Sequence, residues 1–253
     1  MIKGLYAAFT AMEAAWRYQD VLANNVANAN TAGFKREVAS MQSFSDVLLS
    51  QQAPVVAPIA ARIQGVVGQI GTGKFVAEFA TDFQQGAFQA TGNELDLATD
   101  RGFFTVESTA GERFYTRDGR FGRDANGDLV TSHGDYVLNE NGGHITLPVG
   151  TVGVDPDGTI TRDGEVLDRI QMLDFTPTEL ERHDGAYFTS QADGAFVDGG
   201  IRQGFIERSN ANLVEDMTTL LAVNRVYQAN QTIISRLDAT LDQAAGTVGQ
   251  YGR

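Results

Sequence analysis

The chain has 253 residues, of which 19 are basic and 32 acidic, for a formal net charge of −13. Such an acidic balance argues against a nucleic-acid partner, whose phosphates need a basic face. The absence of cysteine rules out a disulfide framework, a thiolate metal site and a cysteine nucleophile.

The first predicted element is a helix from Ile2 to about Leu22. Leu5, Phe9, Met12, Trp16, Ala23 and Val26 recur at steps of three and four, with Gln19 in one slot, which predicts an apolar seam. Alanines flank it, so the seam is narrow, and the terminal helices are expected to be largely disordered in the isolated subunit and to fold on assembly. Glu13, Arg17 and Asp20 interrupt any continuous apolar core of a secretory signal. No apolar run is long enough to span a membrane. Taken alone, these features read as a cytoplasmic chain.

The helix exits through ANNVANANTAGFKR, residues 23–36. Asn24, Asn25, Asn28 and Asn30 compete for backbone hydrogen bonds and favour helix ends and turns. Thr31 follows, Gly33 supplies a positive-φ stop, and Phe34 is an apolar anchor just beyond it. This stretch resembles the N-terminal signature of the axial proteins of the bacterial flagellum, the rod and hook family, with the approximate pattern A-N-N-[LIV]-A-N-x-N-T-x-G-[FY]-K.

Residues 36–73 read as an extended linking segment. Met41 to Leu49 suits a strand or a short helix, and Gln51 to Pro58 an extended loop with two prolines. Gly68 to Lys74, GQIGTGK, nearly spells a phosphate-binding loop. Phe75 stands where Ser or Thr should reach Mg²⁺, and no helix pattern follows, so a glycine-rich turn is expected.

From Lys74 to Gly204 short β-branched and aromatic runs alternate with Asx-Gly pairs, among them Asn126-Gly127, Asn141-Gly142, Asp157-Gly158 and Asp163-Gly164. The pattern predicts an all-β domain of hairpins, a sandwich or partly open barrel. Asp124, Asn126 and Asp128 are spaced like the start of a calcium loop. The twelfth position is Asp135 inside a β-rich stretch, so plain Asx turns are expected. His133, His144 and His183 are too dispersed for a ligand pair, and Glu94 with Asp96 has nothing to place it across a cleft. No catalytic, cofactor or metal site is predicted.

From Asn210 to Ala245 no Pro or Gly occurs, which predicts a long helix with Ser209 or Asn210 as N-cap and Glu215 and Asp216 near its positive end. One seam runs through Leu213, Met217, Leu220, Tyr227, Ile234 and Leu241. A second stripe holds Val214, Leu221, Val226, Ile233 and Leu237. Two stripes imply more than one neighbour. Asn224, Asn230 and Gln231 suit register-specific contacts in an assembly. Arg208, Arg225 and Arg236 read as solvated or intersubunit charges.

The flagellar resemblance extends through the middle and the end. TGNELDLATDRGFFTV, residues 91–106, and FYTRDGRFGRDANGDLVTSHGDYVL, residues 114–138, are similar to two of the family's internal blocks. QGFIERSNANLVEDMTTLLAVNRVYQANQTII, residues 203–234, is similar to its C-terminal one. Arg101, Asn224 and the tail from Gly246 depart from the pattern.

The whole reading is an α+β chain, mainly β. A discontinuous helical domain (1–35 and 205–253) pairs the terminal helices in coiled-coil fashion, and a central β-domain covers 74–204. The resemblance implies a non-enzymatic rod subunit that assembles into a helical tube with copies of itself and with other rod and hook subunits. It also implies delivery by the flagellar export apparatus without a cleaved signal. The interface residues it points to are those of the 24–34 motif together with Leu5, Met12, Trp16, Leu213, Met217, Leu220, Arg225, Tyr227, Asn230 and Ile234. The Gln69 to Gly73 run favours the distal-rod type over a proximal-rod or hook-type subunit. An exported β-rich carbohydrate-active enzyme or an adhesin is the alternative from another class.

Overall fold

The structure, a computed structural model, describes residues 2–43, 47–50, 66–70 and 74–250. Two long helices, α1 (Ile2–Ala27) and α2 (Leu213–Gln250), bracket a series of short strands. This is the mainly β, α+β architecture expected from the sequence.

The chain forms two compact units. The first joins the described residues of 1–23, 38–80 and 214–253, and the second joins 24–37 and 81–213. The two units divide on α1 at Ala23–Asn24, whereas the sequence reading divided the chain after residue 35. The reason lies in hydrogen bonding, because the asparagine-rich exit is tied to the β unit. The described residues of 38–80 group with the helices, where the sequence reading had a link over 36–73 and the β-domain from 74. Within them Glu37–Ser43 pairs with Lys74–Thr81, and Val47–Ser50 pairs antiparallel with Val66–Ile70. The Met41–Leu49 stretch is therefore strand wherever it is described. The loop expected over 51–58 lies outside the described residues.

In the helical unit, Ala15, Leu22 and Val223 are buried together, with Tyr18, Leu220 and Tyr227 packed against them. The buried apolar residues of α1 are Ala8, Ala14, Ala15, Val21 and Leu22, while Phe9 and Trp16 are exposed. The apolar seam expected through Leu5, Phe9, Met12 and Trp16 is rotated off this contact. Of the buried residues on α1, Ala15 and Leu22 are the ones that meet Val223 of α2. On α2, Leu213, Met217 and Leu241 of the expected seam are exposed, and Val223, outside both predicted stripes, is the buried apolar residue among those described.

The β unit is built on an antiparallel sheet of nine strands. Its main order runs from Leu180–Asp184 through Tyr187–Ser190, Arg113–Thr116, Phe103–Glu107, Tyr136–Val137 and Leu129–Thr131 to Phe121–Arg123. Met172–Asp174 pairs with the Phe103 end of Phe103–Glu107 and carries Ala195–Phe196. A three-stranded sheet (Gly153–Val154, Thr159–Arg162, Glu165–Arg169) turns through Asp163–Gly164, both at positive φ, the two-residue hairpin turn that this dipeptide predicts. The β-branched run Ile145–Leu147, expected as a strand, forms none and makes one isolated bridge, at Thr146, with another at neighbouring His144. One core gathers Phe104, Val106, Phe121, Ile145, Ile160 and Met172, and a second gathers Phe103, Tyr115, Leu173, Leu180 and Phe188. Short strands close the unit: Ile201–Gln203 pairs with Leu97–Thr99, and Phe205–Glu207 pairs with Phe88–Ala90.

Candidate functional site: the asparagine-rich exit and the exposed helix faces

The exit from α1 divides its asparagines between separate tasks. Asn24 is exposed; its Oδ1 accepts from Asn28 Nδ2 at 2.7 Å, and its carbonyl accepts from Asn28 N at 3.0 Å. Asn28 Oδ1 in turn accepts from the Thr31 hydroxyl at 3.2 Å, so these residues close the helix end. Asn25 is buried. Its Nδ2 donates to Glu37 O at 2.8 Å and its Oδ1 accepts from Glu37 N at 2.9 Å. The side-chain amide thereby mimics a strand neighbour for residue 37. Asn30 is exposed.

Gly33 has φ +67°, and a Cβ there would stand 2.2 Å from Asp118 N and 2.3 Å from Arg117 C. Only glycine satisfies both the left-handed backbone and this approach. Its N–H donates to Glu207 O at 2.9 Å. Phe34 is buried, with the Arg182 guanidinium 4.8 Å from its ring centroid. Arg182 also donates to the Lys35 carbonyl, and its Nε lies 2.8 Å from Glu37 Oε1.

Lys35 and Glu207, 1% and 0% exposed, form a buried ion pair with Nζ 2.5 Å from Oε1. Arg117 Nη1 stands 3.4 Å from the other carboxylate oxygen. Burial pushes both Lys35 and Arg117 below their ordinary pKa, opposed by the charge of Glu207. The sequence reading placed Lys35 in the motif but missed this pairing. The available signal was the opposite charge of the lysine ending the first motif block and the glutamate in the last.

Asn210, expected as a helix N-cap, instead cross-links the β unit. Its Oδ1 accepts from Arg36 N at 2.7 Å, and its Nδ2 donates to the carbonyls of Asp82 and Gln84. Ser209 bonds Ala211 N, and α2 begins only at Leu213, which places Asn212 at the cap position.

The remaining predicted interface residues lie on the helices. Trp16 is 55% exposed and, with Phe9, Met12, Glu13 and Tyr227, lines an open apolar groove. Leu5, Leu220, Asn230 and Ile234 are half-buried, and Arg225 is exposed. Val214, 72% exposed, continues with exposed Met217 and Leu221 along one face of α2.

The turn expected over Gly68–Lys74 lies partly outside the described residues, and its ends, 68–70 and Lys74, are strand. Strands stand on both sides of residues 71–73, which are not described, so no helix follows the glycine run as a phosphate-binding loop needs. Asp124 Oδ1 accepts from the backbone N–H groups of Asn126 and Asp128, so this carboxylate serves its own turn. Among the described residues no group of three acidic or histidine side chains could hold a metal ion. No described helix is long and apolar enough to cross a membrane.

The β unit ties the asparagine-rich exit to the segment that precedes α2, and the helices display apolar side chains, features that suit a structural subunit. Comparison with known proteins makes the class specific. Residues 5–35 match the model of the flagella basal body rod protein, residues 99–167 the flagellar hook protein FlgE/F/G D1 domain, and residues 202–247 the flagellar basal body rod FlgEFG protein C-terminal model. The chain is 33% identical to flagellar basal-body rod protein FlgF of Caulobacter vibrioides, over 100% of this chain and 99% of that protein. It is 34% identical to flagellar basal-body rod protein FlgG of Bacillus subtilis, over 96% and 98%. The flagellar hook-basal body complex protein FlhO of Bacillus subtilis is 29% identical over 99% and 100%. The chain belongs to the flagellar basal-body rod protein family and is a structural component of the basal body, where it assembles with other rod and hook subunits.

Proposed function

We propose that this subunit builds a helical tube by repeated contacts between the terminal helices of neighbouring copies, and that the tube carries torque from motor to hook. The observation behind this reading is the apolar surface that the helical unit leaves uncovered, Phe9 and Trp16 on α1 and Val214, Met217 and Leu221 on α2. Repeated heterologous contacts of this kind propagate without closing. Within the predicted interface set, Asn25, Gly33 and Phe34 serve the subunit's own fold, and Leu5, Met12, Trp16, Met217 and Arg225 are the residues offered to neighbours. The work is mechanical and needs no catalytic group. Delivery through the flagellar export channel without a cleaved signal is part of the same reading. The Gln69–Gly73 run supports the distal-rod type, although residues 71–73 lie outside the described ones.

Purified basal bodies carrying an epitope on the Asp163–Gly164 turn test it. Label along the distal rod is the expected result. Label on the motor-side segment would replace the distal assignment with a proximal one, and label confined to the hook would reject the rod role. A strain lacking its own copy and supplied with Trp16→Ser should express the protein and fail to swim. Normal swimming would remove the helix face from the assembly interface.

A further inference from the structure

Three stretches far apart in sequence meet in the β unit, residues 33–37, 82–86 and 207–210, each within a few residues of a point where the chain leaves that unit. Glu207 is their hub. Its Oε1 accepts from Lys35 Nζ at 2.5 Å and from Gly86 N at 2.8 Å. Its Oε2 accepts from Arg117 Nη1 at 3.4 Å, and its carbonyl accepts from Gly33 N. Around the hub, Arg36 Nε donates to Asp82 Oδ2 at 3.0 Å, Asp82 N donates to Arg36 O at 2.9 Å, and Asn210 bridges the same strands. Lys35 also donates to Gln84 O at 2.9 Å.

None of these charges can be dry alone. A buried ammonium or carboxylate without its partner is far costlier than the closed pair. A half-made cluster, with one end seated and the other still in water, is therefore disfavoured against both the fully open and the fully closed forms. Lys35 and Glu207 are 172 residues apart in sequence, so the early one waits for the late one.

We propose that Lys35, Arg117 and Glu207 form a clasp that opens and closes in one cooperative step, so that the asparagine-rich exit is seated only on a chain whose β unit is complete through Glu207. The clasp is a completeness check built into the fold. It rests on the β unit alone and stands whatever the rod position of the subunit.

Hydrogen exchange on the full chain in low urea tests it. Gly33, Arg36 and Gly86 donate their amides inside the clasp. In the wild type they should share one opening free energy and one urea slope, both below those of the core amides Leu129 and Leu138. Glu207→Gln should speed all three together, by about 100-fold, and leave Leu129 and Leu138 unchanged. Separate isotherms in the wild type, merging with the core amides, or a response confined to Gly86 would overturn the proposal. If Glu207→Gln does not fold, Lys35→Met leaves Glu207 with Arg117 and Gly86 and should give the same joint rise. The wild-type isotherms decide the question independently of either variant.

Discussion

Single side chains in the exit segment carry very unequal weight, and the inequality is measurable. Asn25→Ala would strip both backbone groups of Glu37 of their partners, at a cost of about 2–4 kcal/mol. Asn24→Ala, at an exposed neighbour, should stay within about 0.5 kcal/mol. Urea unfolding of the two variants side by side checks this. Gly33→Ala meets a left-handed backbone and the Arg117–Asp118 peptide at once and should cost about 2–5 kcal/mol, read from the same curves. Tyr187 supplies a pH test. Burial pushes its phenol far above the ordinary value of 10.0, and burial also raises Tyr115. Above pH 10 the unfolded chain sheds protons that the folded chain keeps, so stability is full below pH 10 and falls as pH rises beyond it. Tyr187→Phe, which gives up the 3.0 Å bond to Thr131 Oγ1, should make that fall shallower between about pH 10 and pH 11.5. An unchanged slope would return the alkaline loss to other groups.

Elements were legible in the sequence where pattern and contact share a cause. The Asx-Gly spacing and β-branched runs marked the hairpins, because the turn geometry is local and Asp163–Gly164 needs no distant partner. The long stretch free of Pro and Gly marked α2 for the same reason. The register of helix contact was not legible. Size favours Trp16 and Phe9 as core, yet Ala15 and Leu22 are the residues buried against α2, and only the partner decides between the two faces. The role of Asn210 was hidden likewise, since an Asx before a helix looks like a cap whether or not it bonds Arg36. Leu22→Ala should lower the stability of the helix pair by about 2 kcal/mol, seen as a loss of helical ellipticity at lower temperature. Trp16→Ser should leave that melting curve unchanged. With so few side chains buried between the helices, their amides should also exchange faster in the isolated subunit than Leu129 and Leu138. Equal protection would show the pair to be self-sufficient.

At the scale of the whole molecule, the clasp defines which part can live alone. A fragment of residues 24–213 keeps Lys35, Arg117 and Glu207 and should unfold in one cooperative transition. A fragment of residues 36–204 loses both Lys35 and Glu207, leaves Arg117 buried without its carboxylate, and should melt lower and less sharply by circular dichroism. Equal melting of the two would remove the ends of the chain from the stability of the β unit. The tight turns carry a further consequence, for chemical ageing. An Asn-Gly pair deamidates when the glycine nitrogen swings onto the asparagine side chain and closes a five-membered imide. Here both such nitrogens are held: Gly127 N donates to Asp124 O at 3.2 Å, and Gly142 N donates to Asn139 O at 2.8 Å. The hairpins therefore shield the two most perishable peptide links in the chain. A rod subunit locked into its assembly should accumulate isoaspartate at these sites far more slowly than the same chain unfolded.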